Sequence, residues 1–270
     1  MAQRSDSHSL ARIIRKVSLG MVYSAHASHI GSALSIADIV AVLYSDFMKF
    51  DPRDPLYANR DRFILSKGHA CVAVYAALSA VGFFEPNVVD TYGSDGAELM
   101  AHISHKVPGV EFSTGSLGHG LPFGVGKALV AKRKNENWKT LVLISDGELD
   151  EGSNWEALML ASHHDLRNIT LIVDYNKLQS LGAVQSTVGL EPLNEKFSSF
   201  GWGVLSVDGH DHSQIKDALR ESFYQARPTC ILANTVKGKG VSFMENKVAW
   251  HYKSPNPQEL QSALREVDNA

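Results

Sequence analysis

Residues Leu141–Gln179, LVLISDGELDEGSNWEALMLASHHDLRNITLIVDYNKLQ, carry the pattern that decides the fold. Two apolar runs rich in β-branched residues flank one helix-length segment, and such runs are typical of buried parallel strands. The first run ends at Ser145-Asp146-Gly147, and the second ends at Asp174-Tyr175-Asn176. This β–α–β order predicts that Asp146 and Asn176 lie side by side at the carboxyl edge of a parallel sheet.

The same alternation extends over most of the chain. RFILS, WGVLSVDG and TCILANTV read as further strands, and helix-length segments separate them. The first 50 residues predict two helices, with Ser35 as a candidate cap for the second, and Ser153 and Glu156 fit a capping box. We expect an α/β fold, a doubly wound, mainly parallel sheet with helices on both faces. The simplest organisation is one domain over residues 1–270, with an irregular tail from about residue 238.

The composition excludes several classes of protein. The chain is 44% hydrophobic and 20% charged, with a formal net charge of −3. This near-neutral balance gives no indication of nucleic acid or a membrane surface as a partner. No apolar run reaches the roughly 20 residues of a membrane span, and the first residues lack the apolar core of a signal peptide. Cys71 and Cys230 lie in apolar runs, so we expect buried free thiols and a cytoplasmic location.

Asp146 and Asn176 offer oxygen ligands with no cysteine or histidine beside them, which suits Mg²⁺ or Ca²⁺ better than zinc. Gly147 would let backbone N–H groups approach a phosphate. The helix that starts near Ser153 would add its positive end to the same neighbourhood. The pattern is compatible with a metal-bridged diphosphate. It is equally compatible with an ordinary Asp-Gly turn and a loop-capping asparagine.

The segment SDGELDEGSNWEA, followed by VDYNKLQ, resembles the thiamin diphosphate signature, in which GDG precedes an asparagine pair by about thirty residues. The chain as a whole resembles transketolases, and specifically the N-terminal subunit of split transketolases. Four further motifs carry the resemblance: SHIGSALS (28–35), DRFILSKGHA (61–70), AHISHKVPGVEFSTGSLGHG (101–120) and KGKGVSFMENKVAWHYK (237–253). The resemblance implies the diphosphate-binding type of the thiamin diphosphate fold, with thiamin diphosphate and Mg²⁺ (or Ca²⁺) as cofactors.

The resemblance also implies which residues hold the cofactor. The cation would be ligated by Asp146, the side chain of Asn176 and the backbone carbonyl of Leu178. The residues expected at the diphosphate and its surroundings are His69, Gly147, Glu148 and Lys237. The aminopyrimidine would be met by the loop of Gly115, Ser116 and Leu117.

Besides His69, which is expected beside the diphosphate and is also a candidate catalytic residue, three histidines match those that surround the reactive carbon of the cofactor in the family: His29, His102 and His251. The resemblance implies that they bind the hydroxyls of a ketose donor and move protons during cleavage and release. An imidazole suits both tasks because it donates or accepts a hydrogen bond near neutral pH.

The remaining histidines are expected to contribute less. His105 and His119 are uncertain, and His119 stands where many relatives carry glutamine. We expect the pair His163 and His164 to be structural, and the pair His210 and His212 to lie in an exposed turn.

The chain departs from the family pattern at four positions. Ser145 replaces the first glycine of GDG, and Tyr175 replaces the first asparagine of the pair. Ile30 and Ile103 follow histidines where many transketolases carry proline. None of these changes removes an expected ligand, but the isoleucines leave the donor sugar undetermined.

The resemblance implies a partner. Transketolases carry a second, pyrimidine-binding domain that supplies a glutamate to the cofactor, and this chain is expected to depend on a C-terminal transketolase subunit for it, in an α2β2 assembly. Glu151 and Glu156 match acids near the family's subunit contact.

The implied function is transfer of a two-carbon ketol unit from a ketose, or ketose phosphate, to an aldose. The alternatives are the α subunit of a 2-oxo acid dehydrogenase, a 1-deoxyxylulose-5-phosphate synthase relative and a non-catalytic scaffold that keeps the pocket. The KGHA and HISHKVPGVEFSTGSLG segments disfavour the dehydrogenase subunit.

Overall fold

The structure, a computed structural model, describes residues 5–269. Its centre is a parallel sheet with the strand order β1-β2-β3-β5-β4. The strands are β1 (Arg62–Leu65), β2 (Thr140–Ser145), β3 (Ile169–Tyr175), β4 (Gly203–Asp208) and β5 (Thr229–Asn234). β2 and β3 pair from Thr140↔Ile169 to Ser145↔Asp174, so their carboxyl ends lie at one edge. The predicted parallel sheet is therefore confirmed.

The helices alternate with these strands after an all-helical start. The α-helices of residues 5–269 are α1 (Ser7–Ser24), α2 (Ile30–Ser35), α3 (Ala37–Val42), α4 (Cys71–Ala80), α5 (Gly120–Lys134), α6 (Gly152–His163), α7 (Val184–Thr187), α8 (Leu193–Ser199), α9 (His212–Tyr224) and α10 (Pro257–Asn269). Short helical turns cover Leu43–Phe47, Gly68–Ala70, Pro86–Thr91, Gly147–Asp150 and Val248–His251. Two of these turns, Gly68–Ala70 and Gly147–Asp150, follow the carboxyl ends of β1 and β2.

Helices cover both faces of the sheet, as the apolar character of the strands predicts. In β2, Leu141 and Leu143 pack into a core with α1 to α4, whereas Val142 and Ile144 pack into a second core with α5 and α6. Alternate side chains of a strand point to opposite faces, so a run that is apolar at every position needs a cover on each side. The doubly wound arrangement is confirmed.

The prediction of an irregular tail from residue 238 is wrong for its last part. Residues Pro257–Asn269 form α10, which packs on α1. Ala263 and Val267 are buried there, and Lys16 pairs with Asp268 at 2.7 Å. The segment is amphipathic, with apolar residues spaced at helical intervals, and that periodicity was the available signal.

Two predicted helix caps are wrong. Helix α6 begins after Glu151, and the Ser153 hydroxyl donates instead to the carbonyl of Gly118 at 2.6 Å. Helix α3 begins after Ile36, and the Ser35 hydroxyl donates to Asp174 Oδ1 at 2.6 Å. In both cases a distant polar group offers the serine a buried partner, which local sequence cannot reveal.

The prediction of an exposed turn at His210 and His212 is also wrong. His212 is 4% exposed and bonds to Ser7 and Asp38, while His210 is half-buried and also bonds to Asp38. Asp38 lies on α3, so these contacts join α3 to the start of α9. Cys71 and Cys230 are buried free thiols, as expected. Among residues 5–269, no helix combines the length and apolar character that crossing a membrane requires.

Candidate active site at the carboxyl edge of the sheet

The structure brings the ends of β2 and β3 into direct contact. Asp146 Oδ1 accepts the Gly147 N–H at 2.8 Å, and Asp146 Oδ2 accepts the Lys177 N–H at 2.5 Å. The second bond crosses from one strand end to the other, so Asp146 and the segment around Asn176 form one unit. Gly147 fits tightly, since a Cβ there would lie 2.8 Å from the Gln179 side chain.

Asp146 is a carboxylate held in an unfavourable place. It is 1% exposed, and burial, followed by the charge of Asp174, raises the pKa of Asp146 to about 7. A carboxylate that is costly to ionise gains most from a cation nearby, because the cation replaces the lost hydration of the charge.

Asn176 is held by both ends of its amide. Its Nδ2 donates to Asp174 Oδ2 at 2.9 Å and to Ser35 Oγ at 3.3 Å, and its Oδ1 accepts the Leu178 N–H at 3.0 Å. The two donor bonds fix which end of the amide is the oxygen, and they direct that oxygen away from Asp174.

Lys237 closes the same pocket from the loop after β5. It is 2% exposed, and its Nζ lies 3.1 Å from the Leu178 carbonyl oxygen, 3.0 Å from that of Gln179 and 3.0 Å from His251 Nδ1. Burial, followed by the charge of Lys67, lowers the pKa of Lys237 to about 8. The charges of Asp174 and Asp146 act on this ammonium only from a distance, because within residues 5–269 its hydrogen-bond partners are two carbonyls and an imidazole. A diphosphate would provide an anion in direct contact.

The donor set fits a hard cation shared with a ligand. Among residues 5–269, no three His, Cys, Asp or Glu side chains are grouped as a metal would need. One carboxylate, one amide oxygen and one carbonyl remain, and Mg²⁺ commonly completes such a partial shell with phosphate oxygens and water.

Beneath the pocket lies an ion pair that the sequence analysis missed. Lys67 Nζ and Asp174 Oδ2 are 2.5 Å apart, and both side chains are buried. Asp174 also accepts bonds from Ser35 and Thr235. Burial alone would raise the pKa of Asp174, but Lys67 and these hydroxyls lower it below its usual value. Asp174 lies near the end of β3 and Lys67 two residues after β1, and no local pattern in the sequence indicates that the two pair.

The structure gathers the four histidines of the sequence analysis into one cluster. The ring centroid of His29 lies 5.0 Å from that of His69, 5.9 Å from that of His102 and 4.9 Å from that of His251. His29 has a left-handed backbone with φ of 75°, and its N–H donates to the His251 carbonyl at 2.7 Å. This bond ties the start of α2 to the turn Val248–His251.

Three rings of the cluster, those of His29, His69 and His251, are neutral near pH 7. Burial, followed by His102, lowers the pKa of His29 to about 4, and burial, followed by Lys237, lowers the pKa of His251 to about 3. The pKa of His69 is also lowered well below its usual value, by burial and by Lys67. Neutral rings keep one donor and one acceptor nitrogen each, as the binding of sugar hydroxyls requires.

The loop of Gly115, Ser116 and Leu117 lies beside the cluster. A Cβ on Gly115 would lie 3.2 Å from His102 Cδ2, so the loop backbone and this imidazole are in close contact. Thr114 anchors the start of the loop, with its hydroxyl donating to the Leu65 carbonyl at the end of β1 at 2.6 Å.

Glu148, expected among the cofactor-binding residues, has its side chain in the protein interior. The carboxylate bonds to Ser66 and to the Gly118 N–H. Its backbone N–H donates to Ser145 Oγ at 3.2 Å, which gives the serine that departs from GDG a partner.

The other departures and uncertain residues lie at the margins. Ile30 and Ile103 are buried in the core below the cluster. The Tyr175 hydroxyl donates to Glu191, a surface contact. His105 and His119 are exposed and bond to Ser113 and to the Leu117 carbonyl, so the structure does not bring them into the cluster. Both Glu151 and Glu156 are exposed near the start of α6.

Residues 6–266 match the family model described as "Transketolase, thiamine diphosphate binding domain". The chain is 41% identical over 254 residues to a subunit of the apulose-4-phosphate transketolase of Phocaeicola vulgatus, an alignment that covers 94% of this chain and 90% of the relative. It is 39% identical to the 6-deoxy-6-sulfo-D-fructose transketolase subunit SqwG of a Clostridium species, over 98% of both chains.

A solved transketolase from Campylobacter jejuni has the same fold, with a TM-score of 0.93 and 30% sequence identity. The superposition covers 97% of this chain but 42% of that one. The chain thus spans about two fifths of the solved transketolase and nearly the full length of the relatives named as subunits.

Proposed function

The chain belongs to the transketolase family, as an N-terminal, thiamin diphosphate-binding subunit, and we propose that it transfers a two-carbon ketol unit from a ketose to an aldose when joined by a C-terminal subunit. The observation that carries the proposal is the juxtaposition of the four clustered imidazoles with the charged pocket at the ends of β2 and β3. One region suits sugar hydroxyls, and the other suits a cation and a diphosphate.

The residues proposed to hold the cofactor are those that the family resemblance implies, and the chemistry of the pocket fits them. Asp146, Asn176 and the Leu178 carbonyl would ligate Mg²⁺ or Ca²⁺, and Lys237 would contact the diphosphate. The bond from Lys237 Nζ to the Leu178 carbonyl would be exchanged for these contacts. Bound thiamin diphosphate supplies the carbanion chemistry that breaks and forms the carbon–carbon bond.

The histidines are proposed to orient the sugar and move its protons. His29, His102 and His251 lie on three separate segments, so they can approach hydroxyls from several directions. A neutral imidazole accepts a hydrogen bond from one hydroxyl and donates one to another, so that binding the sugar needs no buried charge. His69, a member of the cluster whose pKa is also lowered by Lys67, is proposed to contact both the diphosphate and the reacting sugar.

The substrate and the partner are inferred from the relatives. The relatives' names specify a sugar 4-phosphate and a sulfonated sugar, and we propose an anionic sugar for this chain as well. Both names include "subunit", which supports a partner that carries the pyrimidine-binding domain, in an α2β2 assembly. The exposed acids Glu151 and Glu156 are proposed to lie near this contact.

The proposal is tested by reconstitution. The purified chain is mixed with the C-terminal transketolase subunit of the same organism, thiamin diphosphate and Mg²⁺, and transfer is followed over a panel of ketose and aldose phosphates. We expect turnover that requires both polypeptides and the cofactor. Cofactor binding without turnover on any pair of sugars would favour the scaffold alternative.

A further inference from the structure

A fully buried carboxylate lies between the cation-binding turn and the loop expected at the aminopyrimidine. Glu148 is 0% exposed. Its Oε1 accepts the Ser66 hydroxyl and the Gly118 N–H, the latter at 2.9 Å. Ser66 Oγ in turn accepts the Gly120 N–H at 3.0 Å. Two amides of the segment 115–120 are therefore held by one pair of side chains.

The contact at Gly120 replaces a missing helix cap. Gly120 is the first residue of α5, and the residue before it, His119, makes no side-chain cap bond. The first N–H groups of a helix have no partner within the helix, so they need one from elsewhere. Ser66, which directly follows β1, supplies that partner from a different part of the chain.

The backbone of Glu148 belongs to the other end of the site. It lies in the turn Gly147–Asp150, two residues after Asp146, and its N–H donates to Ser145 Oγ. Its carbonyl accepts Asn154 Nδ2 at 2.6 Å, which fixes the turn against α6. One residue thus has its main chain in the cation turn and its carboxylate under the loop.

The packing leaves the loop little freedom beside these bonds. A Cβ on Gly118 would lie 2.7 Å from the Glu151 Cβ, and a Cβ on Gly120 would lie 2.3 Å from Ser66 Oγ. The backbone therefore comes closer to these side chains than any residue except glycine allows. The positions of Gly118 and Gly120 are therefore restricted by packing against Glu151 and Ser66 as well as by the hydrogen bonds to Glu148 and Ser66.

The arrangement is unfavourable for stability alone. Glu148 Oε2 and Asn154 Oδ1 are buried and find no hydrogen-bond partner within residues 5–269. A buried carboxylate with an unsatisfied oxygen costs free energy that an apolar side chain would avoid. Such a group is expected where its directional bonds serve the site.

We propose that Glu148 and Ser66 are positioning residues that couple the cation turn to the segment 115–120, so that the two ends of the cofactor are held at a fixed separation. The inference rests on the proposed function for the identity of the ligand. It differs from a direct cofactor contact, because the carboxylate acts through the backbone of Gly118 and through Ser66.

The first test measures the loop without any ligand. Hydrogen–deuterium exchange is followed by mass spectrometry in the full chain carrying Ser66→Ala or Glu148→Ala. We expect the amides of 115–120 to exchange at least about fivefold faster, because each variant releases bonds of ordinary strength. Ser222→Ala removes an equally buried hydroxyl, bonded to Thr170 on the far side of the sheet, and serves as the matched control. Unchanged exchange in both loop variants would overturn the proposal.

The second test separates positioning from a general structural role. The chain, with its partner subunit, is titrated with Mg²⁺ and either thiamin diphosphate or inorganic diphosphate, which lacks the aminopyrimidine. We expect Ser66→Ala to weaken thiamin diphosphate about tenfold and inorganic diphosphate less than twofold, and Glu148→Gln, which keeps an acceptor oxygen, to restore part of the loss seen in Glu148→Ala. Equal weakening of both ligands would overturn the proposal. If the unaltered protein bound neither ligand, the proposed function would fail, and the exchange measurement would still decide whether Glu148 and Ser66 hold the loop.

Discussion

The charged pocket at the ends of β2 and β3 and the histidine cluster beside it are built in opposite ways. In the pocket, Asp174 has partners in Lys67, Ser35 and Thr235, and the pair Asp174 and Lys67 is fully buried. In the cluster, the four rings make one hydrogen bond within residues 5–269, between His251 and Lys237. The pocket is already organised, whereas the imidazoles keep their hydrogen-bonding capacity for a ligand.

The same contrast appears in the charges. The two lysines of the pocket add positive potential, which opposes protonation of the neighbouring imidazoles. A single arrangement therefore attracts an anionic group to one side and keeps the other side neutral. Fixed charges suit binding, and neutral imidazoles suit proton movement.

The largest expected effect comes from removing Lys67, the buried lysine that pairs with Asp174. Lys67→Met leaves Asp174 buried without its counter-charge, and we expect the free energy of unfolding to fall by about 3–5 kcal/mol. Urea denaturation at pH 7 measures the loss. The double variant with Asp174→Asn, which removes the stranded charge, should recover part of it. A single variant as stable as the unaltered chain would show that the pair does not organise the pocket.

On the cluster side, the prediction is a change in chemistry without a change in stability or cofactor affinity. His102→Ala should lower kcat about 100-fold in the reconstituted enzyme, in line with the loss of one acid–base group. The affinity for thiamin diphosphate should stay within about twofold of that of the unaltered protein, a change of less than about 1 kcal/mol in binding free energy. His105→Ala, three residues away and outside the cluster, is the control. Parallel losses in both variants would argue that the cluster has no special role.

The smallest expected effect concerns pH. The folded pKa of His29 is about 4, below its usual 6.5, because of burial and His102. At this ring the folded state binds fewer protons than the unfolded state. The contribution of His29 to the free energy of unfolding is therefore complete above about pH 6.5 and is lost as pH falls through about 4. His69, His102, His251, Lys67 and Lys237 face or influence this ring.

His29→Asn should therefore flatten the pH dependence of unfolding. The free energy of unfolding should decrease between pH 7 and pH 5 in both proteins, but by about 1 kcal/mol less in the variant than in the unaltered chain. This difference is discounted because the ring is partly open to solvent. Urea midpoints at the two pH values measure it. An identical fall in both proteins would contradict a neutral, partly buried His29.

Sequence patterns were sufficient for the sheet because strands buried on both faces leave a continuous apolar signature, as in β2 and β3. The placement of Asp146 and Asn176 followed from the general geometry of parallel sheets. The gathering of His29, His69, His102 and His251 rested on the family resemblance, since their sequence separation offers no physical reason for contact.

What sequence could not reveal were partners distant along the chain. Ser35 and Ser153 were interpreted as helix caps, and both instead bond across the fold to Asp174 and Gly118. Lys67 escaped notice because nothing local distinguishes a buried lysine from a solvated one. The sequence around His212 is typical of a turn, whereas its hydrogen-bond partners, Ser7 on α1 and Asp38 on α3, are distant along the chain.

The central claim is that the paired strand ends hold a cation that bridges thiamin diphosphate, and calorimetric titration of the cofactor tests it most directly. With Mg²⁺ present, we predict that Asp146→Ala weakens thiamin diphosphate by about 100-fold or more, on the scale seen when metal sites are disrupted. The unaltered chain should lose its binding to a similar extent when the divalent cation is removed. Asp150→Ala, which removes an exposed acid from the same turn, should bind normally. Unchanged affinity in Asp146→Ala, or binding that is indifferent to Mg²⁺, would contradict the account.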